Sequence, residues 1–284
     1  MAEFSSDVLN LFFPQWQGAG KLELHTGAKL LYASLHKRIA LTQIPVASTY
    51  ALTTDQHILG YSQITSQLSH AVQIIEAQNP SKILTIGGDC GVEIAPVSFL
   101  NRQYSEELAL LWLDAHGDLN TPKSSPSSHF HGMPLRTLLG EGDPGIVSQA
   151  FSTLLPEQVF LIGAREFDVP ERAFMRQQHL SVVTAEAINR GRFNQLLTAL
   201  ATGNFKKLYI HLDLDVIEPK EFPYVTCPTP NGIQIEKLAM LLLHLRKHFS
   251  IVGFSILEFL ATEPQSSAVS EALKLLDTVL PEII

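Results

Sequence analysis

Asp114, His116 and Asp118 stand at alternate positions of the stretch LLWLDAHGDLN, residues 110–120. Alternate side chains of an extended segment face the same way, so these three can converge. Asp213 and Asp215 in HLDLDV can converge by the same rule. Four carboxylates and an imidazole in one place repel one another and raise carboxylate pKa values unless something compensates. Two divalent cations balance four carboxylates charge for charge. Hard oxygen donors with a nitrogen or two suit Mn²⁺ or a neighbouring first-row ion better than a structural zinc site. Two such ions about 3.5–4 Å apart would acidify a shared water and supply hydroxide at neutral pH. Plainer readings compete at each residue taken singly. An isolated Asp-x-Asp is commonly a solvated strand end, and a loop histidine such as His131 is commonly just exposed. His129 and His211 carry less signal still. Asp168 and Glu171 suit a capping role, since acids favour the N-terminus of the helix that VPERAF opens.

The elements that must position these residues alternate. KILTI (82–86), ELALLWL (107–113), QVFLIGA (158–164), LSVVTA (180–185), KLYIHLDLDV (207–216) and IVGFSILEF (251–259) read as strands. Helical stretches are expected near 92–103, 170–179, 192–201, 235–249 and 268–280. Near-continuous apolar strands between helices imply a mostly parallel sheet covered on both faces. The fold class is therefore α/β, a three-layer α/β/α sandwich, expected as a single domain over 1–284 because no linker divides the chain. GGDC, DAHGD, REFD, DLD and Glu258 each follow a strand, and parallel sheets bind ligands at that edge. The irregular loop NTPKSSPSSHFHG (120–132) is long enough to be functional. The first 60 residues or so carry no motif; they complete a sheet edge or pack at a subunit interface.

The chain has 284 residues, 45% hydrophobic and 17% charged, with formal net charge -8. No Lys/Arg cluster exists to neutralise phosphates, so no nucleic-acid partner is expected. The apolar runs are too short to span a bilayer, and no membrane partner is expected. The first residues lack a positively charged leader pattern, and two cysteines make no disulfide framework in a chain this size. A reducing, cytoplasmic location is expected.

The ordered set GGDC, DAHGDLNTP, HGMP, IGARE, HLDLDVIEP and ILEF resembles the ureohydrolase family of arginases and agmatinases, over about residues 80–260. The resemblance implies hydrolysis of a guanidino group to urea at a binuclear manganese centre, in a homo-oligomer, usually a trimer or hexamer. By motif matching, Asp114, His116, Asp118, Asp213 and Asp215 would be metal ligands, with Asp114 and Asp213 bridging the ions. His131 matches a proton-shuttling histidine and Glu258 the acid that receives the guanidinium. Asn120 and Ser127 match contacts to a substrate carboxylate, and Asp168 and Glu171 match acids that face an α-ammonium. That set looks more like arginase than agmatinase.

Two departures stand out. Cys90 occupies the place of the first metal-ligand histidine of the family. A thiolate there would favour Zn²⁺, Fe²⁺ or Co²⁺ over Mn²⁺, while the plain alternative is a small buried residue beside a vacated metal position. His129 stands where arginases carry an asparagine that binds the substrate carboxylate. The resemblance implies a substrate contact there, with a bulkier group that would exclude arginine or accept a different acidic tail. The TCPTPNG loop also departs from the family form, leaving Thr229 as a substrate contact by position only. The leading expectation is an arginase-like hydrolase of arginine or a related guanidino acid, with hydroxide attacking the guanidinium carbon. Asp118 would accept a hydrogen bond from the nucleophile, and His131 would help protonate the leaving amine. Agmatinase or formimidoylglutamase activity is the alternative within the class, and a non-catalytic homologue the alternative outside it. A single-metal deacetylase fits less well, given the DLD step and Glu258.

Overall fold

Strands that are apolar on both faces need a layer of helices on each side, and the chain supplies both. The structure is a computed structural model that describes residues 7–48, 51–260 and 266–283. β1 (Val8–Phe13) and β2 (Thr42–Gln43) flank α1 (Glu23–Leu35). A hairpin of β3 (Thr54–Asp55) and β4 (Ile58–Leu59) leads to α2 (Tyr61–Gln78) and β5 (Lys82–Gly87). α3 (Ile94–Tyr104) returns the chain to β6 (Leu108–Leu113). The short helices α4 (Pro134–Leu138) and α5 (Pro144–Val147) precede β7 (Val159–Ile162), α6 (Val169–Gln177) and β8 (Ser181–Val183). α7 (Ala185–Asn189), α8 (Asn194–Thr202), β9 (Lys207–Asp213), α9 (Ile235–His248), β10 (Ser250–Leu257) and α10 (Ser266–Ile283) follow.

The sheet runs β2-β1-β5-β10-β9-β6-β7-β8, and all its pairings are parallel. The two outer runs lead away from β5 and β6, with β10 and β9 between them. Register aligns the strand ends: Leu257 faces Asp213, Leu113 faces Leu212 and Ile256 faces Ile86. Residues just past these strands therefore share one edge.

Alternation along β1 sends Leu9, Leu11 and Phe13 into one core and Phe12 into the other. One layer packs Leu31, Leu35, Leu241, Leu245 and Leu276 of α1, α9 and α10 on Leu84, Ile210 and Phe254. The other packs Ile64, Leu68, Val97 and Leu100 of α2 and α3 on Ile83, Leu110 and Tyr209. Each fully buried leucine contributes about 1.5–3 kcal/mol of transfer free energy. The N-terminal segment completes a sheet edge, and residues 1–6 of it lie outside the described residues. The helix expected from residue 92 starts with a 3-10 turn, Cys90–Glu93, because the Asp89 side chain caps it by accepting from the Gly91 N–H. Among the described residues no helix is long and apolar enough to cross a membrane.

Candidate metal centre and active site

The loops after β6 and β9 lock each other. Asp114 Oδ1 accepts from the His116 N–H at 2.7 Å, and Asp213 Oδ1 from the Asp215 N–H at 2.7 Å. Asp215 Oδ1 accepts from the Ala115 N–H at 2.9 Å, tying the two loops together. His116 Nδ1 then lies 2.9 Å from Asp215 Oδ2 and 3.4 Å from Asp114 Oδ1. Across the site Cys90 Sγ lies 3.3 Å from Asp213 Oδ2. Asp118 and Glu258 adopt left-handed backbone, with φ of 51° and 59°, a conformation that non-glycine residues keep mainly where the surroundings enforce it. Asp118 Oδ2 and Glu258 Oε2 are buried without a hydrogen-bond partner.

Donor atoms gather in overlapping groups. Asp114, His116 and Asp215 form one, and Cys90, Asp114, Asp118 and His211 another, each within 4.8 Å. Cys90, Asp213 and Glu258 form a third within the same limit. Asp114 belongs to two groups, as a carboxylate shared between two ions would.

The electrostatics agree. Burial, then the neighbouring carboxylates, pushes Asp118 and Asp213 well above the ordinary carboxylate range. Burial and Asp114 push Asp215 up to about 6. Burial also raises Asp114, but hydrogen bonds and charge from His116 and His211 outweigh it and hold that group low. Burial, with Asp213 next to it, raises the Cys90 thiol. A buried array so short of positive charge, with two orphaned carboxylate oxygens, fits divalent cations.

The cleft above these groups holds about 150 Å³. Asn120, Ser127, His131, Asp168, Glu171 and Glu258 line it together with Cys90, His116, Asp118, Asp213 and Asp215. Asn120 Nδ2 donates to Asp168 Oδ2 at 2.7 Å. Glu171 uses both oxygens internally, accepting from the Leu119 and Asp168 N–H groups at 2.8 and 2.7 Å. It therefore positions the loop and Asp168, while keeping a place in the wall. His129 and Thr229 lie outside this lining; the Thr229 hydroxyl bonds the Cys227 carbonyl at 3.1 Å, and Thr226 and Cys227 take that wall.

Asp89, Arg165 and Glu93, which carry no signal in the sequence, and His211, which carries little, matter here. Asp89 binds Gln15 Nε2, Gly18 N–H and Gly91 N–H, stapling the N-terminal loop under the cleft. Arg165 donates to the carbonyls of Asp215 and Thr229, fixing the cleft's far loop. His211 and Glu93 are buried against each other, 2.8 Å apart. His211 precedes Asp213 by two on β9, so alternation alone would have turned it toward the site.

Residues 23–279 match the family described as the arginase family. The chain belongs to the arginase family. A curated arginase-family relative, the arginase of Staphylococcus aureus strain MRSA252, is 30% identical over 199 residues, covering 69% of this chain and 65% of that protein. The chain thus spans just under two thirds of that relative in the match. The arginase-family structure of Entamoeba histolytica arginase in complex with L-ornithine superposes with TM-score 0.86 at 22% identity, covering 96% of this chain and 97% of that one. Formimidoylglutamase of Bacillus subtilis superposes with TM-score 0.73 at 16% identity, covering 97% and 87%. These likenesses establish the arginase-family fold of this chain.

Proposed function

We propose that this protein is a metal-dependent hydrolase of guanidino groups, acting on arginine or a close guanidino acid and releasing urea and an amine. Glu258 carries the reading. Its Oε1 takes the Cys90 N–H and faces His131 Nδ1, both at 3.3 Å, while its buried Oε2 has no partner. A buried carboxylate presented to a cleft suits the planar fork of a guanidinium.

Asp114, His116 and Asp215 would hold one ion. Cys90, Asp118 and Asp213, with Asp114 shared, would hold the other. Mn²⁺ is the family expectation, and the Cys90 thiolate shifts preference toward Zn²⁺, Co²⁺ or Fe²⁺. When bound, two such ions acidify a water and offset negative charge developing on the adduct. Asp118 Oδ2 orients the attacking water by accepting its hydrogen bond. Glu258 holds the guanidinium so that its carbon meets that oxygen. His131, drawn toward protonation by Glu258 and Asp89 against the effect of burial, delivers a proton to the departing nitrogen as the C–N bond breaks. Asn120 and Ser127 suit a carboxylate tail, and Asp168 an ammonium.

The same reading has residues 1–284 as one domain of a cytoplasmic homo-oligomer, trimer or hexamer, which sedimentation would count. Urea release from arginine and agmatine, formamide release from formimidoylglutamate and acetate release from acetylated amines, with Mn²⁺ or Co²⁺ supplied, test the activity. Turnover of arginine or a related guanidino acid is expected; no urea from any guanidino compound overturns the reading.

A further inference from the structure

His211 is fully buried on β9, its ring stacked on Trp112 with centroids 3.5 Å apart and planes 6° from parallel. Its Nδ1 lies 2.8 Å from Glu93 Oε1. Glu93, also fully buried, accepts in addition from the Tyr209 hydroxyl at 2.6 Å and from the Ser255 hydroxyl. A carboxylate fixed by two hydroxyls holds the proton of the imidazole on Nδ1 and leaves the Nε2 lone pair pointing away. That is the arrangement by which a carboxylate orients a metal-ligating histidine.

Nε2 points at the Cys90 end of the donor cluster. It lies 3.6 Å from Asp114 Oδ2 and 3.9 Å from Cys90 Sγ. With metal–nitrogen and metal–oxygen distances of about 2.0–2.2 Å and metal–sulfur of about 2.3 Å, donors around a tetrahedral ion sit roughly 3.3–3.7 Å apart. The observed separations fall within a few tenths of an ångström of that range. Asp118 Oδ2, buried and unpartnered, belongs to the same group.

We infer that His211 is a metal ligand, forming with Cys90, Asp114 and Asp118 a mixed sulfur, nitrogen and oxygen site, and that Glu93 is its positioning residue. The imidazole that Cys90 does not supply at the end of β5 is supplied from β9. Loading the site releases the Cys90 thiol proton, because the thiolate is the ligand. The soft sulfur and the second imidazole select Zn²⁺ or Co²⁺ there, while the Asp114, His116 and Asp215 group stays harder.

Equilibrium dialysis of the full chain against Co²⁺, read by elemental analysis and electronic absorption, tests this. Two Co²⁺ per chain are expected, with a near-ultraviolet thiolate-to-cobalt band from Cys90. His211→Gln should bind one of the two ions at least about 10-fold more weakly and alter that band. Glu93→Gln should weaken the same ion by about 10–100-fold. Circular dichroism identifies any variant that fails to fold. X-ray absorption on the unmodified, cobalt-loaded chain needs no variant; it should show one sulfur and two imidazoles shared between two ions. A single imidazole, or His211→Gln with unchanged affinity and spectrum, overturns the inference. The inference rests on the metal-binding half of the proposed function but does not use urea as a readout. A chain that binds two ions through His211 and makes no urea keeps the site and loses the hydrolase reading. Urea production with binding indifferent to His211→Gln does the reverse.

Discussion

His131 Nδ1 lies 3.3 Å from Glu258 Oε1, joining the loop before α4 to the end of β10. In the proposed reaction one member of this pair handles a proton and the other holds the substrate. His131→Asn should lower kcat by about 10²–10⁴ with little change in KM. Glu258→Gln should lower kcat/KM by about 10–100-fold, the worth of a charge-assisted hydrogen bond. Steady-state urea release separates the two, and an unchanged kcat in His131→Asn would remove its assigned role.

Asp118 opposes the fold in the absence of cations. Burial and its carboxylate neighbours push it upward, so its charge is tolerated only beside a positive partner. Asp118→Asn keeps a side chain that accepts the left-handed backbone. It should stabilise the chelator-treated protein by about 1–3 kcal/mol while weakening metal binding. Urea denaturation with and without EDTA measures both effects. The unsubstituted protein should gain about 2.7 kcal/mol from metal at 100 times its Kd.

Asn120 lines the cleft but is anchored on Asp168. Asn120→Ala should raise KM for arginine about 10-fold, by loss of one hydrogen bond to a charged group, and leave agmatine nearly unaffected. Equal effects on both compounds would place the substrate tail elsewhere.

Gly88 lets the end of β5 pass the N-terminal loop, since a Cβ there would come 1.7 Å from the Gln15 backbone oxygen. Gly88→Ala must displace that loop and should cost at least about 1–3 kcal/mol. Thermal denaturation reads the loss.

His25 on α1 is buried, and burial, helped by Lys29, lowers its pKa below the usual 6.5. The unfolded chain then binds the proton more readily than the folded one. Its contribution is fully present above pH 6.5 and is lost as pH falls through the lowered folded value. His25→Leu should flatten the pH dependence of Tm below pH 6.5; an identical slope would refute the assignment.

That Asp114, His116 and Asp118, and Asp213 and Asp215, would gather was legible in the sequence, but period-two alternation is not what gathers them. β6 ends at Leu113, Asp118 has a φ of 51° and Leu214–Val216 is a 3-10 turn, so bends past the strand ends turn them together. The clustering of polar residues after strands was legible too, because apolar runs mark the strand ends. The α/β class followed from the same runs. Pairings between distant residues were not legible. Cys90 meets Asp213 across 123 positions, and His211 meets Glu93 across 118. Those distances depend on the order β5-β10-β9-β6 and on register, which a one-residue slip would reverse. His129 and Thr229 show the same limit from the other side. Their motif positions pointed to the substrate, yet the loop paths leave both outside the cleft lining. Residue types and local spacing determined which chemistry the chain carries. Only tertiary packing decided which donors share an edge, because contact between separate strands is set by sheet order and register and not by sequence separation.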